Sequence, residues 1–142
     1  MTSPVIVSIV EGQGEVQAVR LLLQRVAEMV APGVYVDFRT PHHLPRTKIA
    51  HRAALEQAIG RVVGAHPDCT GILLMFDADK DCPVKLAESL IATAAECRGD
   101  RTVCAVIPVQ EYEAWFLAAA PSLSGYKGLA ADLKVPKAIE SF

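Results

Sequence analysis

Residues 71–76 read GILLMF, an unbroken apolar run between the loop HPDCT and the acidic stretch DADKDCP. A strand with one wet face would alternate apolar with polar side chains. A continuous short run fits a strand covered on both faces, the kind found inside a parallel sheet. The rest of the chain must then supply helices for both faces of that sheet.

It does so in alternation. Residues 4–10, PVIVSIV, form a buried strand in this reading. Residues 15–30, EVQAVRLLLQRVAEMV, repeat Val16, Val19, Leu23, Val26 and Val30 at three- and four-residue steps, which predicts a helix ended by the APG that follows. VYVDF (34–38) alternates and is rich in β-formers, so it is expected to be a strand. RTPHHLPR is a proline-broken loop. Residues 47–65 are expected to be one helix burying Ile49, Ala53, Ile59, Val62 and Val63. A third helix over 83–98 starts on Pro83, where the missing N–H costs nothing, and buries Leu86, Leu90, Ala94 and Cys97. TVCAVI (102–107) is the next strand, and VQEYEAWFLAAA a short helix after Pro108. The β-α-β-α-β-α-β-α order predicts an open, mainly parallel sheet of about four strands with helices on both faces, a Rossmann-like α/β fold.

The chain has 142 residues, enough for one domain over 1–142, and 51% of them are apolar against 21% charged, which excludes disorder. No apolar run approaches the roughly 20 residues of a membrane span. MTSPVIV has no basic n-region, so no signal peptide is expected. Cys69, Cys82, Cys97 and Cys104 form no zinc spacing with each other or with the histidines, and we read them as reduced thiols of a cytoplasmic protein. The stretch SGYKGLAADLKVPKAIESF (124–142) is weakly patterned and breaks off as a new helix begins, so a further C-terminal segment is expected.

Charge is unevenly placed. Arg39, Arg46, Lys48, Arg52 and Arg61 fall in a segment whose one acid is Glu56, while acids outnumber bases from Asp68 to Glu113. Either these are two solvated faces, or metal ions sit between protein carboxylates and a phosphate-bearing ligand. The acids favour the second reading. In open α/β sheets ligands gather at the carboxyl ends of the strands. Glu11 follows the first strand in VEGQGE, a turn shaped like a phosphate loop but carrying acids. Asp77, Asp79 and Asp81 follow GILLMF, and Glu111 and Glu113 follow TVCAVI. Residues two apart in an extended segment point the same way, so Asp77 and Asp79 are expected to face one ligand. Carboxylates gathered this closely repel unless a cation neutralises them, and hard oxygen ligands suit Mg²⁺ or Mn²⁺.

The combination of VEGQGE after strand one with LLMFDADKD after a later strand resembles the Toprim domain of topoisomerases, bacterial primases, recombination proteins and overcoming-lysogenization-defect-type nucleases. With EYEAWFLA added, it is similar to an uncharacterised bacterial Toprim-related family linked to mobile-element or phage defence. The resemblance covers about residues 4–120. It implies a Toprim fold and Mg²⁺-dependent nuclease chemistry on nucleic-acid phosphodiesters. It matches Glu11 to the Toprim glutamate, Asp77 and Asp79 to the metal-binding aspartates, and Glu113 to a second-metal ligand; relatives often use a third aspartate, here Asp81. Glu11, Asp77 and Asp79 are the expected catalytic set, with Arg46, Lys48 and Arg52 on backbone phosphates. The competing reading is a non-catalytic Toprim module that binds nucleic acid, a nucleotide or a separately made ATPase. A homodimer is open in either case.

Several residues also have plainer roles. Glu15 suits the positive end of a helix dipole, and Asp81 could cap the third helix. Tyr112, Trp115 and Phe116 have the spacing of core residues rather than a base-stacking platform. His42 and His43 are expected on a solvated loop unless that loop meets substrate.

Overall fold

The computed structural model describes residues 3–49, 51–109, 115, 119–123, 125 and 134. Five parallel strands form the sheet: β1 (Val5–Val10), β2 (Asp37–Phe38), β3 (His42–His43), β4 (Gly71–Met75) and β5 (Thr102–Val106). Their order is β2-β1-β4-β5, with β3 also paired to β1. GILLMF lies in the centre as its composition demands. β4 runs between β1 and β5, and all of its residues are buried.

Helices cover both faces. On one side, α3 (Arg52–Ala65) and α4 (Pro83–Cys97) pack on β1 and β4, burying Leu55, Ile59, Val62, Leu90 and Ala94 against Val7, Ile9, Leu74 and Phe76. On the other, α1 (Gln13–Val30) brings Val19 onto Val10 and Met75. Fully buried side chains such as Phe76, Ile9 and Leu74 have close neighbours on every side; truncating one to alanine should cost about 2–5 kcal/mol through lost transfer energy and the cavity left behind.

Four features differ from the sequence expectation, each for a physical reason. The strand expected over 34–38 is only Asp37–Phe38, paired with Val5 and Ile6. β1 starts at Val5, so Val34 and Tyr35 have no ladder partner and stay exposed. The loop RTPHHLPR contains β3, two residues held by pairing with the end of β1, between prolines that prevent its extension. The helix expected over 47–65 is two pieces, α2 (Arg46–Ile49) and α3, because His51 is extended at φ −104° and ψ 111°. The restart changes which residues face inward: Leu55 and Ala58 are buried and Ala53 is exposed. In α1 the expected stripe is buried only in its first half, with Val26 and Val30 exposed.

The connections define where a ligand would sit. From β1 the chain crosses by α1 to β2 on one side; it later returns by α3, over the opposite face, to β4 on the other side of β1. The direction of winding therefore reverses between β1 and β4. In doubly wound sheets such a reversal opens a crevice at the carboxyl ends of those two strands. Glu11 and Asp77 are the residues just beyond that point.

Candidate functional site

β1 and β4 are in register from Ile6 opposite Gly71 to Val10 opposite Met75, so both strands end together. Glu11 is one residue past β1 and Asp77 two past β4. The main-chain N–H of Asp77 donates to Glu11 Oε2 at 3.3 Å. Both residues are half-buried. This bond joins the Asp77 main chain to the Glu11 side chain, 66 positions earlier in the sequence.

Beyond Asp77 the chain is tied down from both sides. Ala78, fully buried, donates its N–H to the carbonyl of Pro108 at 2.9 Å, and Asp81 donates its N–H back to Ala78 at 2.8 Å. The resulting turn holds Asp79 at φ +50°, a left-handed conformation that aspartate adopts more readily than most residues. The segment is therefore not extended, and the expected same-side alternation of Asp77 and Asp79 does not apply. Asp79 and Asp81 are both exposed on this turn. Cys82, not Asp81, is the N-cap of α4, and no side chain makes a capping hydrogen bond there.

Among the described residues, no group of three His, Cys, Asp or Glu side chains is gathered to hold a metal ion. The donors at the Glu11–Asp77 edge are nevertheless all oxygens. Mg²⁺ is commonly bound through one or two carboxylates together with substrate phosphates, and two acids at one edge fit that mode. Glu111 and Glu113 lie outside the described residues, as do Tyr112 and Phe116. Trp115 is 37% exposed rather than part of the core. Glu15 falls in the first turn of α1.

The basic segment is divided. Arg52, at the start of α3, pairs with Glu56 one turn on and with Glu96 near the end of α4. These pairs are exposed and weak, but they direct the guanidinium to α4 rather than to solvent. Lys48 is exposed on α2, and Arg46 opens that helix. Arg39 pairs with Asp37 and Asp68 and contacts Nδ1 of His66 at 3.1 Å, clamping edge strand β2 to the turn before β4.

Sequence reasoning left His42 and His43 on a solvated loop. They lie on β3 opposite Ile9 and Val10, beside the strand that ends in Glu11, and both are half-buried. Burial lowers the pKa of His42, and the nearby charges of Arg61 and His43 lower it further. Their only sequence signal was β-pairing across a proline-flanked loop, which no local pattern reveals.

The fold defines a Rossmann-like α/β domain of the doubly wound type. Residues 10–141 match the domain of unknown function DUF4276, and the chain belongs to that family. No curated protein and no solved structure matches it. Among the described residues, no helix is long and apolar enough to cross a membrane.

Proposed function

We propose that this protein is an Mg²⁺- or Mn²⁺-dependent phosphodiesterase of nucleic acid, with Glu11 and Asp77 at the centre of its site. One observation carries the reading: the main-chain N–H of Asp77 meets the carboxylate of Glu11, 66 residues earlier, where the sheet reverses its winding. The resemblance of VEGQGE and LLMFDADKD to Toprim motifs supports the same chemistry. The left-handed backbone at Asp79 adds to it, because non-glycine residues held there often serve function.

In this reading Glu11 and Asp77 hold the ion, with Asp79, Asp81 and Glu113 as further candidate ligands. When bound, such an ion lowers the pKa of a coordinated water and offsets charge on phosphate oxygens. The Asp77 N–H orients the Glu11 carboxylate. The turn closed by Ala78 and Asp81 keeps Asp79 at the same edge. Lys48 and Arg46, on α2, are candidates to position backbone phosphates, and Arg52 could join them only by leaving Glu56 and Glu96.

A second reading has its own observation. The absence of a three-ligand cluster among the described residues favours a non-catalytic module that binds nucleic acid, a nucleotide or a separately made ATPase. One experiment separates the two. The chain is incubated with single- and double-stranded DNA and RNA in EDTA, Mg²⁺ or Mn²⁺, beside Asp77→Asn. Cleavage that needs the cation and is lost in the variant supports the enzyme. Binding without cleavage in every cation supports the module.

A further inference from the structure

The two edges of the sheet are protected unequally. One edge is made by β2 and β3, each two residues long; Arg39 ties the first to Asp37 and Asp68, and prolines flank the second. Short, charged or proline-flanked edges resist pairing with another chain. The other edge is β5, which reads TVCAV, with no charge, no proline and no glycine. Among the described residues, no strand pairs with its outer side. The N–H of Thr102 donates to the Thr70 carbonyl and that of Phe76 to the Val106 carbonyl, both at 3.4 Å, so Thr102, Cys104 and Val106 bond toward β4. Backbone groups alternate in direction along a strand, so Val103 and Ala105 turn their N–H and C=O groups outward.

The same strand borders an open apolar surface. α1 packs over β1, β2 and β3 and meets the far strands at Met75 and Val106. Nearer the amino ends of β4 and β5 lies a cleft of about 390 Å³, lined by Ile6, Leu23, Gly71, Leu73, Thr102 and Cys104. Thr102 and Cys104 are exposed there. Val103 and Ala105, on the other side of β5, pack against the core that α3 and α4 cover. A strand added beside β5 would both continue the ladder and border the cleft.

We infer that β5 is the pairing edge of a two-fold homodimer, in which β5 of a second copy lies antiparallel to it. The strand's own pattern selects that occupant. A two-fold axis at Cys104 pairs Val103 with Ala105 of the second copy, and Ala105 with its Val103, so each outward N–H and C=O of the strand meets one of the opposite kind. No charge is brought to face its like, because TVCAV carries none. Cys104 then lies opposite Cys104 as a non-hydrogen-bonded pair, with Cα atoms about 4.5 Å apart. An axis at Val103 would draw in Arg101, whose guanidinium is held by Asp100 and the Pro67 carbonyl; an axis at Ala105 would draw in Ile107, next to Pro108. Antiparallel pairing turns one copy end for end. The two Glu11–Asp77 edges point opposite ways, each complete within one chain, so the dimer is independent of the phosphodiesterase reading.

Sedimentation equilibrium in reducing buffer, from low to high micromolar concentration, should show the parent as a dimer. Ala105→Pro removes an outward donor but no bond to β4, a change that edge strands tolerate. Cys104→Lys, at an exposed position, sets like charges opposite each other across the axis. Both variants should sediment as monomers with the parent's far-ultraviolet circular dichroism; if the proline variant does not fold, Cys104→Lys carries the test alone. Diamide, which takes up the two thiol hydrogens as a disulfide forms, should then link two chains of the parent and of Cys82→Ser but not of Cys104→Ser. A parent that is monomeric at every concentration, a dimer that survives Cys104→Lys, or a cross-link that runs through Cys82 would overturn the pairing.

Discussion

The main-chain N–H of Asp77 donates to the carboxylate of Glu11 across 3.3 Å, joining the ends of two neighbouring parallel strands. The bond ties an acid from the first turn of the chain to the backbone of the loop that carries Asp79 and Asp81. Any ligand held by either side of the crevice is therefore positioned by both.

Glu11 can be probed so that its structural and chemical roles separate. Glu11→Gln keeps an oxygen to accept from Asp77 and should stay within about 0.5 kcal/mol of the parent in stability. Glu11→Ala leaves that N–H without its partner and should cost about 1–2 kcal/mol. Both variants should reduce cation-dependent cleavage to background, as should Asp77→Asn. Denaturant unfolding read beside the cleavage assay checks this; a Glu11→Gln variant that retains cleavage would remove Glu11 from the site.

At Asp79 the backbone and the carboxylate make opposite demands. Glycine adopts φ +50° without steric penalty, so Asp79→Gly should change stability by less than about 1 kcal/mol, relief of strain offsetting the greater flexibility of the unfolded chain. Asp79→Val, β-branched in a left-handed turn, should cost about 2 kcal/mol or more. If the carboxylate holds the ion, the glycine variant should be stable yet inactive. Thermal melts and Mn²⁺ calorimetry on the pair distinguish backbone from side chain.

Arg39 serves the fold and not the crevice. Its ion pairs to Asp37 and Asp68 involve side chains 28% to 58% exposed, so their value is limited by solvent and falls with salt. Arg39→Ala should lower Tm by a few degrees at low salt and by less at high salt, with cleavage unchanged. A double-mutant cycle with Asp68→Ala should show favourable coupling; additive effects would mean that the clamp does nothing.

His42 gives stability a pH dependence of definite sign. Its folded pKa lies below the ordinary imidazole value of about 6.5, because burial, then Arg61 and His43, disfavour the charged form. The unfolded chain therefore takes up the proton first. The contribution is fully present above about pH 6.5 and is lost as pH falls through the lowered folded value. Tm should decline between about pH 7 and pH 5, and His42→Gln should make that decline shallower. An unchanged slope in the variant would assign the decline to other groups.

Much of this protein is written locally in its chain. GILLMF had to be a central strand, because only a strand covered on both faces can hide five apolar side chains in a row. The helix periods around Leu55–Val63 and Leu90–Ala94 required a core on one side of that strand, although the break at His51 changed which residues supply it. The places of Glu11 and Asp77 just past two strand ends were legible as well, since each follows an apolar run that can be read residue by residue. What the chain could not reveal is pairing. β3 exists only because the end of β1 offers two residues a ladder, and β2 is short only because β1 begins at Val5. Asp79 turns left-handed because Ala78 is anchored to Pro108, thirty residues away. Local pattern sets which face of an element is apolar; hydrogen bonds and charges between distant segments depend on which strands become neighbours, and that is decided only when the whole sheet closes on its core.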